Sequence, residues 1–495
     1  MSNPLLSAWD GPFGLPDFSA IADDDFLPAF DAAIAGVESE FDEICNNPAP
    51  ASFENTVAAL ERHGLLLDRV GAIFWNRAGS DTNETIQGIE REMAPRLSRL
   101  FAAHMTDPRI FARLESVVAA GADGLSAEEA RVLDLMHQSF VRGGARLDGE
   151  GKERLKAIMG RLSELGTEFG QNVLKDEADW SMTLGADDLG GLPPFLVETA
   201  RAEAERRGVD GWVITLSRSS VEPFLTFSAR RDLRETAFRA WADRGEATNW
   251  DLIGEMIRLR QERANLLGYK CFADLKLENQ MAKSPERVRN LLMAVWAPAR
   301  ARAMDETAAL QRLAASEGQT EPLAGWDWRY YSEKLRKAEH DLDEAEIKPF
   351  LVLDNVIDAA FDVAGRLFGL AFERIDVPVP HPDAMAWDVR HEDQHVGVFI
   401  ADYFARPSKR SGAWMSGLRP QQKLWAPSRP IVTNTCNFAK GSPTLLSWDD
   451  ARTLFHEFGH ALHGLMSDVT YPYVSGTSVA RDFVELPSQL YEHWL

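Results

Sequence analysis

Apolar residues recur at three- and four-residue intervals along most of this chain, which predicts a mainly helical protein. The spacing is plain at residues 56–61 and 97–101, and residues 148–173 form a longer amphipathic stretch. Residues 1–20, rich in Pro and Gly, read as an extended arm before the helices begin at Asp24. A Gly/Pro break at 187–194 precedes a short β-type run at 212–216. A helix carrying Leu233, Ala237, Phe238 and Trp241 follows. Another is predicted from Asn249 to Leu267, closed by Gly268, a favourable residue just past a helix end. Residues 285–313 and 330–342 read as further helices, and the acidic run 341–346 as a solvated turn. β-type runs at 396–404 and 430–438 are the main sheet signals. Residues 433–438 are equally consistent with lying near a substrate-pairing sheet edge and with an internal strand.

The most chemically informative helix follows that sheet. Leu454, Phe455, Phe458, Ala461, Leu462, Leu465 and Met466 give it a buried face. Ser447, with Asp450 three residues on, marks its start as a capping box. Within it, His456-Glu457-Phe458-Gly459-His460 reads H-E-x-x-H. With 11 His in 495 residues, roughly 0.02 such strings arise by chance. Two histidines four apart share one helix face and can bind one tetrahedral metal, with the intervening glutamate beside it. Two buried imidazoles without a partner would be costly, and a metal supplies one. His463 is seven residues from His456, about 10 Å along the axis, and reads as a supporting or core histidine.

A third ligand is required. Asp468, Asp482, Glu485, Glu492 and His493 are the candidates downstream. Glu485 stands among Phe483, Val484 and Leu486, where a carboxylate wants a cation. The competing reading makes Asp482 a helix N-cap and Glu485 a capping acid at the third helical position, and spacing leaves the two even. Pro487 belongs near a helix start or a kink.

Composition narrows the class. A net charge of −23 argues against nucleic acid and anionic membranes as partners. Cys45, Cys271 and Cys436 are dispersed, which suits a reducing compartment, and Cys436 reads as a packing residue. No apolar run reaches membrane-spanning length, and the N-terminus carries no cationic–apolar signal, so a cytoplasmic location is expected. His391 and His395 (H-E-D-Q-H) read as an exposed turn. Lys409 and Arg410 read as surface residues, and Trp326, Trp328, Tyr330 and Tyr331 as core more than cleft.

His456–His460 followed 25 positions later by Glu485, within Asp482-Phe483-Val484-Glu485-x-Pro487-Ser488-Gln489, resembles the M3 family of zinc oligopeptidases. Met281-Ala282-Lys283-Ser284-Pro285, Trp326-Asp327-Trp328-Arg329-Tyr330-Tyr331, Cys436-Asn437-Phe438 and Tyr491-Glu492-His493-Trp494 resemble its bacterial peptidyl-dipeptidase branch. The resemblance runs through essentially the whole chain. It implies a single Zn²⁺ held by His456, His460 and Glu485, with Glu457 as general base. It implies a mainly α, two-lobed helical metallopeptidase fold, neurolysin-like, with a small β-sheet beside the H-E-x-x-H helix. The implied division is an N-terminal helical region, 1–228, and a catalytic region, 229–495. The implied substrates are short peptides admitted to a cleft, with release of C-terminal dipeptides. The alternatives are endo-oligopeptidase action of the oligopeptidase A type and a non-catalytic zinc- or peptide-binding module. A monomer is the expected state. Family members continue well past the third-ligand helix, into a Gly/Tyr-rich loop that serves the transition state. This chain stops at Leu495 and is expected to be C-terminally truncated.

Overall fold

The computed structural model describes residues 3–340 and 344–495. The acidic run lies partly outside the described residues, as does the expected end of the 330–342 helix. The remaining helices form as the periodicity requires. Phe26–Cys45, Leu65–Ser80, Glu84–Thr106 and Gly149–Asp179 pack on one another in the N-terminal region. The helix expected from Asn249 begins earlier, at Glu246, because Gly245 takes a positive φ and admits the chain into it. It ends as predicted: Gly268, at φ 85°, lets Tyr269 N–H bond back to the Ala264 carbonyl at 2.9 Å.

Two sheets interrupt the helices. β1 (Ser181–Leu184) pairs antiparallel with β2 (Trp212–Thr215), the short run seen in sequence. The larger sheet contains β3 (Leu370–Ile375), β4 (Met385–His391), β5 (Gln394–Phe404), β6 (Trp414–Arg419) and β7 (Ile431–Phe438), in spatial order β3-β4-β5-β7-β6. β5 and β7 are parallel, and the other pairs are antiparallel. β7 therefore lies inside the sheet over residues 431–435, with β6 as the edge strand on that side, whereas residues 436–438 run past the end of β6, and Asn437 and Phe438 border a cavity. β4 and β5 join through Glu392 and Asp393, both at positive φ, the two-residue hairpin turn that matches strand twist. His391 and His395 flank this turn, as expected, and His395 Nδ1 contacts Asp388 at 2.6 Å.

The central strands of the sheet are buried on both faces, so β5 reads as a nearly continuous apolar run. One face, with Ala386, Val398, Ile400 and Ile431, packs on Phe26, Phe30 and Phe74. The other, with Trp387, Phe399, Val432 and Cys436, packs on the helices Leu353–Phe368 and Trp448–Leu465. The N-terminal arm is not free. Leu5, Leu15 and Phe18 are buried in the first core, and Arg419 donates to the carbonyls of Phe13 and Gly14, each at 3.0 Å. No helix of the described residues is long and apolar enough to cross a membrane.

Candidate metal centre

Local chemistry starts the helix Trp448–Leu465. Ser447 Oγ accepts the Asp450 N–H at 3.0 Å, and Asp450 Oδ2 accepts the Ser447 N–H at 3.1 Å, which is the predicted capping box. The apolar face then fixes the helix in place. Phe458 is fully buried, its ring 5.2 Å from Phe399, 5.4 Å from Phe361, 5.5 Å from Phe372 and 5.7 Å from Tyr491. This burial turns the opposite side of the same helix, with His456 and His460, away from the sheet.

The third candidate ligand arrives on a separate helix, Glu485–Glu492. Gly459 permits the approach. A Cβ there would stand 2.7 Å from Ser488 Cα and 3.0 Å from the Pro487 carbonyl oxygen, so only glycine admits the second helix at this distance. Pro487 falls in the first turn, where its missing N–H costs nothing.

The three side chains converge. Glu485 Oε2 lies 3.2 Å from His456 Nε2 and 3.1 Å from His460 Nε2, and the two imidazoles stand at 86° to each other. The donor atoms all lie within 4.8 Å of one another. Donors bound at about 2.0–2.1 Å to a tetrahedral ion sit roughly 3.3 Å apart, so this spacing suits a zinc-sized cation. An orphaned group fits the same reading: Glu457 Oε2 is buried with no hydrogen-bond partner, directly beside the cluster. Among the described residues no other His/Cys/Asp/Glu group is arranged to hold a metal.

Electrostatics follow from burial. Desolvation pushes the Glu457 carboxyl up to about 7, with Glu485 raising it further and His456 opposing. Burial also lowers the His460 pKa, with Glu485 pulling the other way. His456, Glu457 and Glu492 border a cavity of about 1020 Å³. Its wall is completed by the 195–227 segment and by residues such as Arg218, Glu222 and Arg329. None of Trp326, Trp328, Tyr330 and Tyr331 borders it. Tyr331 is core, and Trp328 is exposed.

Several positions depart from the sequence reading. Asp482 caps no helix; the helix begins at Glu485 with Val484 as its N-cap residue, and the Asp482 carboxylate accepts the N–H groups of Met281 and Ala282, each at 2.9 Å. Lys409 is buried rather than superficial. Its ammonium donates to Asp402 Oδ1 at 2.8 Å and to the carbonyls of Asp402, Phe404 and Cys436, which satisfies the charge. Arg410 does reach the surface and pairs with the buried Glu90 at 2.6 Å. Cys436 is fully buried, and its thiol is pushed well above the ordinary range, as a packing residue's should be. His463 stays out of the cluster and borders an apolar recess with Leu462, Met466 and Leu490.

Two supporting residues escaped the sequence reading. Glu492 contacts His456 Nδ1 at 2.7 Å through Oε1, which orients the ring so that Nε2 faces Glu485. Sequence offered Glu492 only as a rival ligand; its place seven residues after Glu485, two turns on along one face, was the available signal. Ser488 Oγ donates to the Glu485 carbonyl at 2.9 Å and lies 3.0 Å from Glu485 Oε2.

Comparison with known proteins identifies the family. Residues 224–495 match the profile of Peptidase family M3. The dipeptidyl carboxypeptidase of Salmonella typhimurium is 37% identical over 508 residues, spanning 100% of this chain and 74% of that protein. Oligopeptidase A of the same organism is 31% identical over 516 residues, spanning 100% of this chain and 75% of that protein. A solved structure described as an oligoendopeptidase F superposes with a TM-score of 0.52 at 14% identity, covering 94% of this chain and 67% of that one.

Proposed function

This chain belongs to peptidase family M3, a family of metallopeptidases, and from that premise we propose that it is a zinc peptidyl-dipeptidase acting on short peptides. The observation that carries the site assignment is the meeting of His456 Nε2, His460 Nε2 and Glu485 Oε2, with Glu457 buried beside them. Those three residues would hold one Zn²⁺. When bound there, zinc supplies Lewis acidity, which acidifies water and polarises a peptide carbonyl. Glu457 takes a proton from the attacking water on a carboxylate oxygen and passes it to the departing amine nitrogen. Burial raises the pKa of this carboxyl in the metal-free chain, which favours its acceptance of a proton. Glu492 holds the His456 ring in register while the proton moves.

The substrate reading rests on the cavity and the relatives. A space of about 1020 Å³ accommodates a peptide segment and not a folded protein. Arg218 on its wall is a guanidinium of the kind that receives a peptide's terminal carboxylate, and Arg329 and Arg452 beside it pair with Glu222 and Asp449. The 37% identity to a dipeptidyl carboxypeptidase favours release of C-terminal dipeptides. Endo-oligopeptidase action is the second reading, favoured by the 31% identity to oligopeptidase A over the same span. The profile match from residue 224 supports a catalytic region at 229–495 preceded by a helical region at 1–228. A cytoplasmic monomer is the state that the dispersed free cysteines and net charge of −23 support.

The test is product analysis. Zinc-loaded protein is incubated with peptides of defined sequence, and fragments are read by mass spectrometry. Successive loss of two residues from the C-terminus, abolished by C-terminal amidation, is the expected result. Internal cuts that ignore amidation would replace this reading with the endopeptidase one. Stoichiometric zinc without any product would reduce the chain to a binding module.

A further inference from the structure

We infer that Asp482 is a positioning residue for the metal centre, holding the Glu485 ligand in place through a clamp on the turn at residues 280–283. This rests on Glu485 being a metal ligand. Glu485 is the most exposed member of the cluster, its side chain half open to solvent, while those of His456 and His460 are one-quarter exposed or less. Its helix has eight residues and no side-chain N-cap, too short to be stable by itself. The segment leading into it, 477–484, makes mainly local turns, such as Phe483 and Val484 N–H to the Ala480 carbonyl.

Among the described residues, every hydrogen bond from 477–484 to another part of the chain goes to one place. The Met281 N–H donates to Asp482 Oδ1 and the Ala282 N–H to Asp482 Oδ2, each at 2.9 Å, and the Arg481 N–H donates to Gln280 Oε1 at 2.6 Å. Successive backbone N–H groups aimed at one carboxylate form an anion cradle, and a charged acceptor makes such bonds about twice as strong as neutral ones. The donors also hold the Asp482 carboxyl below the usual carboxylate range. The turn is itself constrained: Lys283 sits at φ 65°, a conformation most residues avoid, and Ser284 N–H returns to the Ala282 carbonyl at 2.8 Å. Asp482 therefore fixes the segment three residues before Glu485. Ser488 and the Gly459 contact fix it three residues after. A ligand carboxylate needs both ends of its segment held to meet the two imidazoles at hydrogen-bond distance, and Asp482 supplies the end that faces solvent.

The experiment uses the full chain. Zn²⁺ affinity is measured by competition with a chromophoric chelator, beside the Tm of the metal-free protein, for the wild type and for Glu485→Ala, Asp482→Ala and Asp482→Asn. Glu485→Ala should lose more than about 100-fold in affinity. Asp482→Ala should lose roughly 10–100-fold, the range for residues that orient a ligand, with the metal-free Tm unchanged. Asp482→Asn, which keeps the shape but only one acceptor oxygen, should fall between; it carries the test by itself if the alanine variant does not fold. Cobalt-loaded Asp482→Ala should show altered d–d absorption as the ligand field loosens. Wild-type affinity in both Asp482 variants, alongside zinc loss in Glu485→Ala, would overturn the positioning role and leave the ligand assignment intact. Loss of affinity matched by an equal loss of metal-free stability would make Asp482 merely structural and also overturn it. Full zinc retention in Glu485→Ala would remove the premise as well.

Discussion

His456 and His460 stand on a helix pressed into an aromatic core, whereas Glu485 stands on an eight-residue helix whose Leu486 and Leu490 are exposed. The histidine helix is over-determined. A capping box starts it, Phe458 sits amid four rings, and β7 lies beneath it. The glutamate helix is anchored at its far end by Tyr491, buried against Phe455 and Phe458 and donating to the Ala360 carbonyl at 2.7 Å, while its Glu485 end is held by the Ser488 hydroxyl, the Asp482 clamp and the close approach at Gly459. Burial makes one half of the centre rigid without reference to the metal. The Glu485 end of the other half depends on polar contacts that solvent competes for, and it should gain most from a bound ion.

The largest expected effect is on turnover. Glu457→Gln should lower kcat by about 10²–10⁴, the span of a positioned acid–base group, while zinc content by metal analysis stays stoichiometric. Loss of zinc as well would place Glu457 among the ligands and redraw the rigid half. Next comes stability. Phe458→Ala removes a fully buried ring and should cost about 3–5 kcal/mol in denaturant unfolding. Leu486→Ala, on the exposed helix, should stay within about 0.5 kcal/mol. Equal costs at the two sites would break the comparison.

The metal-free protein offers a pH test of the same burial. Folding raises the Glu457 pKa from the ordinary 4.5 to about 7, so its neutral form is the one the fold favours. Stability is fully present below about pH 4.5 and is lost as pH rises through 7, by up to about 3 kcal/mol. Metal-free Glu457→Gln, neutral throughout, should therefore match the wild type in acid and exceed its Tm above pH 7. A constant Tm difference from pH 5 to 8 would contradict the burial argument. The smallest effect concerns the bond that joins the two halves. Glu492→Gln keeps an acceptor for His456 Nδ1 but loses the charge, and should weaken zinc binding by about tenfold, the low end of the effect of losing such a partner. No change would show that the His456 ring is set by its own helix.

Legibility in the sequence followed the range of the interactions. The helix start at Ser447, the end at Gly268 and the two-residue turn between His391 and His395 rest on contacts within a few residues, and all were readable. β5 and β7 were readable as apolar runs, while β3 and β6 passed unnoticed because they are only partly buried, and β4 because Asp388 and Arg390 interrupt an otherwise buried strand. Strand order was not readable, so β7 could not be told from an edge. Lys409 looks like any surface lysine until Asp402 and three carbonyls from two strands surround it. The arm at 1–20 looked loose because its Leu5, Leu15 and Phe18 join a core that the helices Phe26–Cys45 and Leu65–Ser80 share with the sheet, a surface that exists only once the chain has folded.

What the sequence determined by itself was two of the three candidate donors and their mutual geometry. Two imidazoles four residues apart on a helix share a face whatever the rest of the chain does, and a glutamate between them is carried along. Which acid meets the two rings is visible only in three dimensions, where a helix admitted over Gly459 brings one Glu485 carboxylate oxygen to 3.1–3.2 Å from both. Closing a 25-residue span depends on which surfaces meet and how closely, and no local pattern of side chains encodes that.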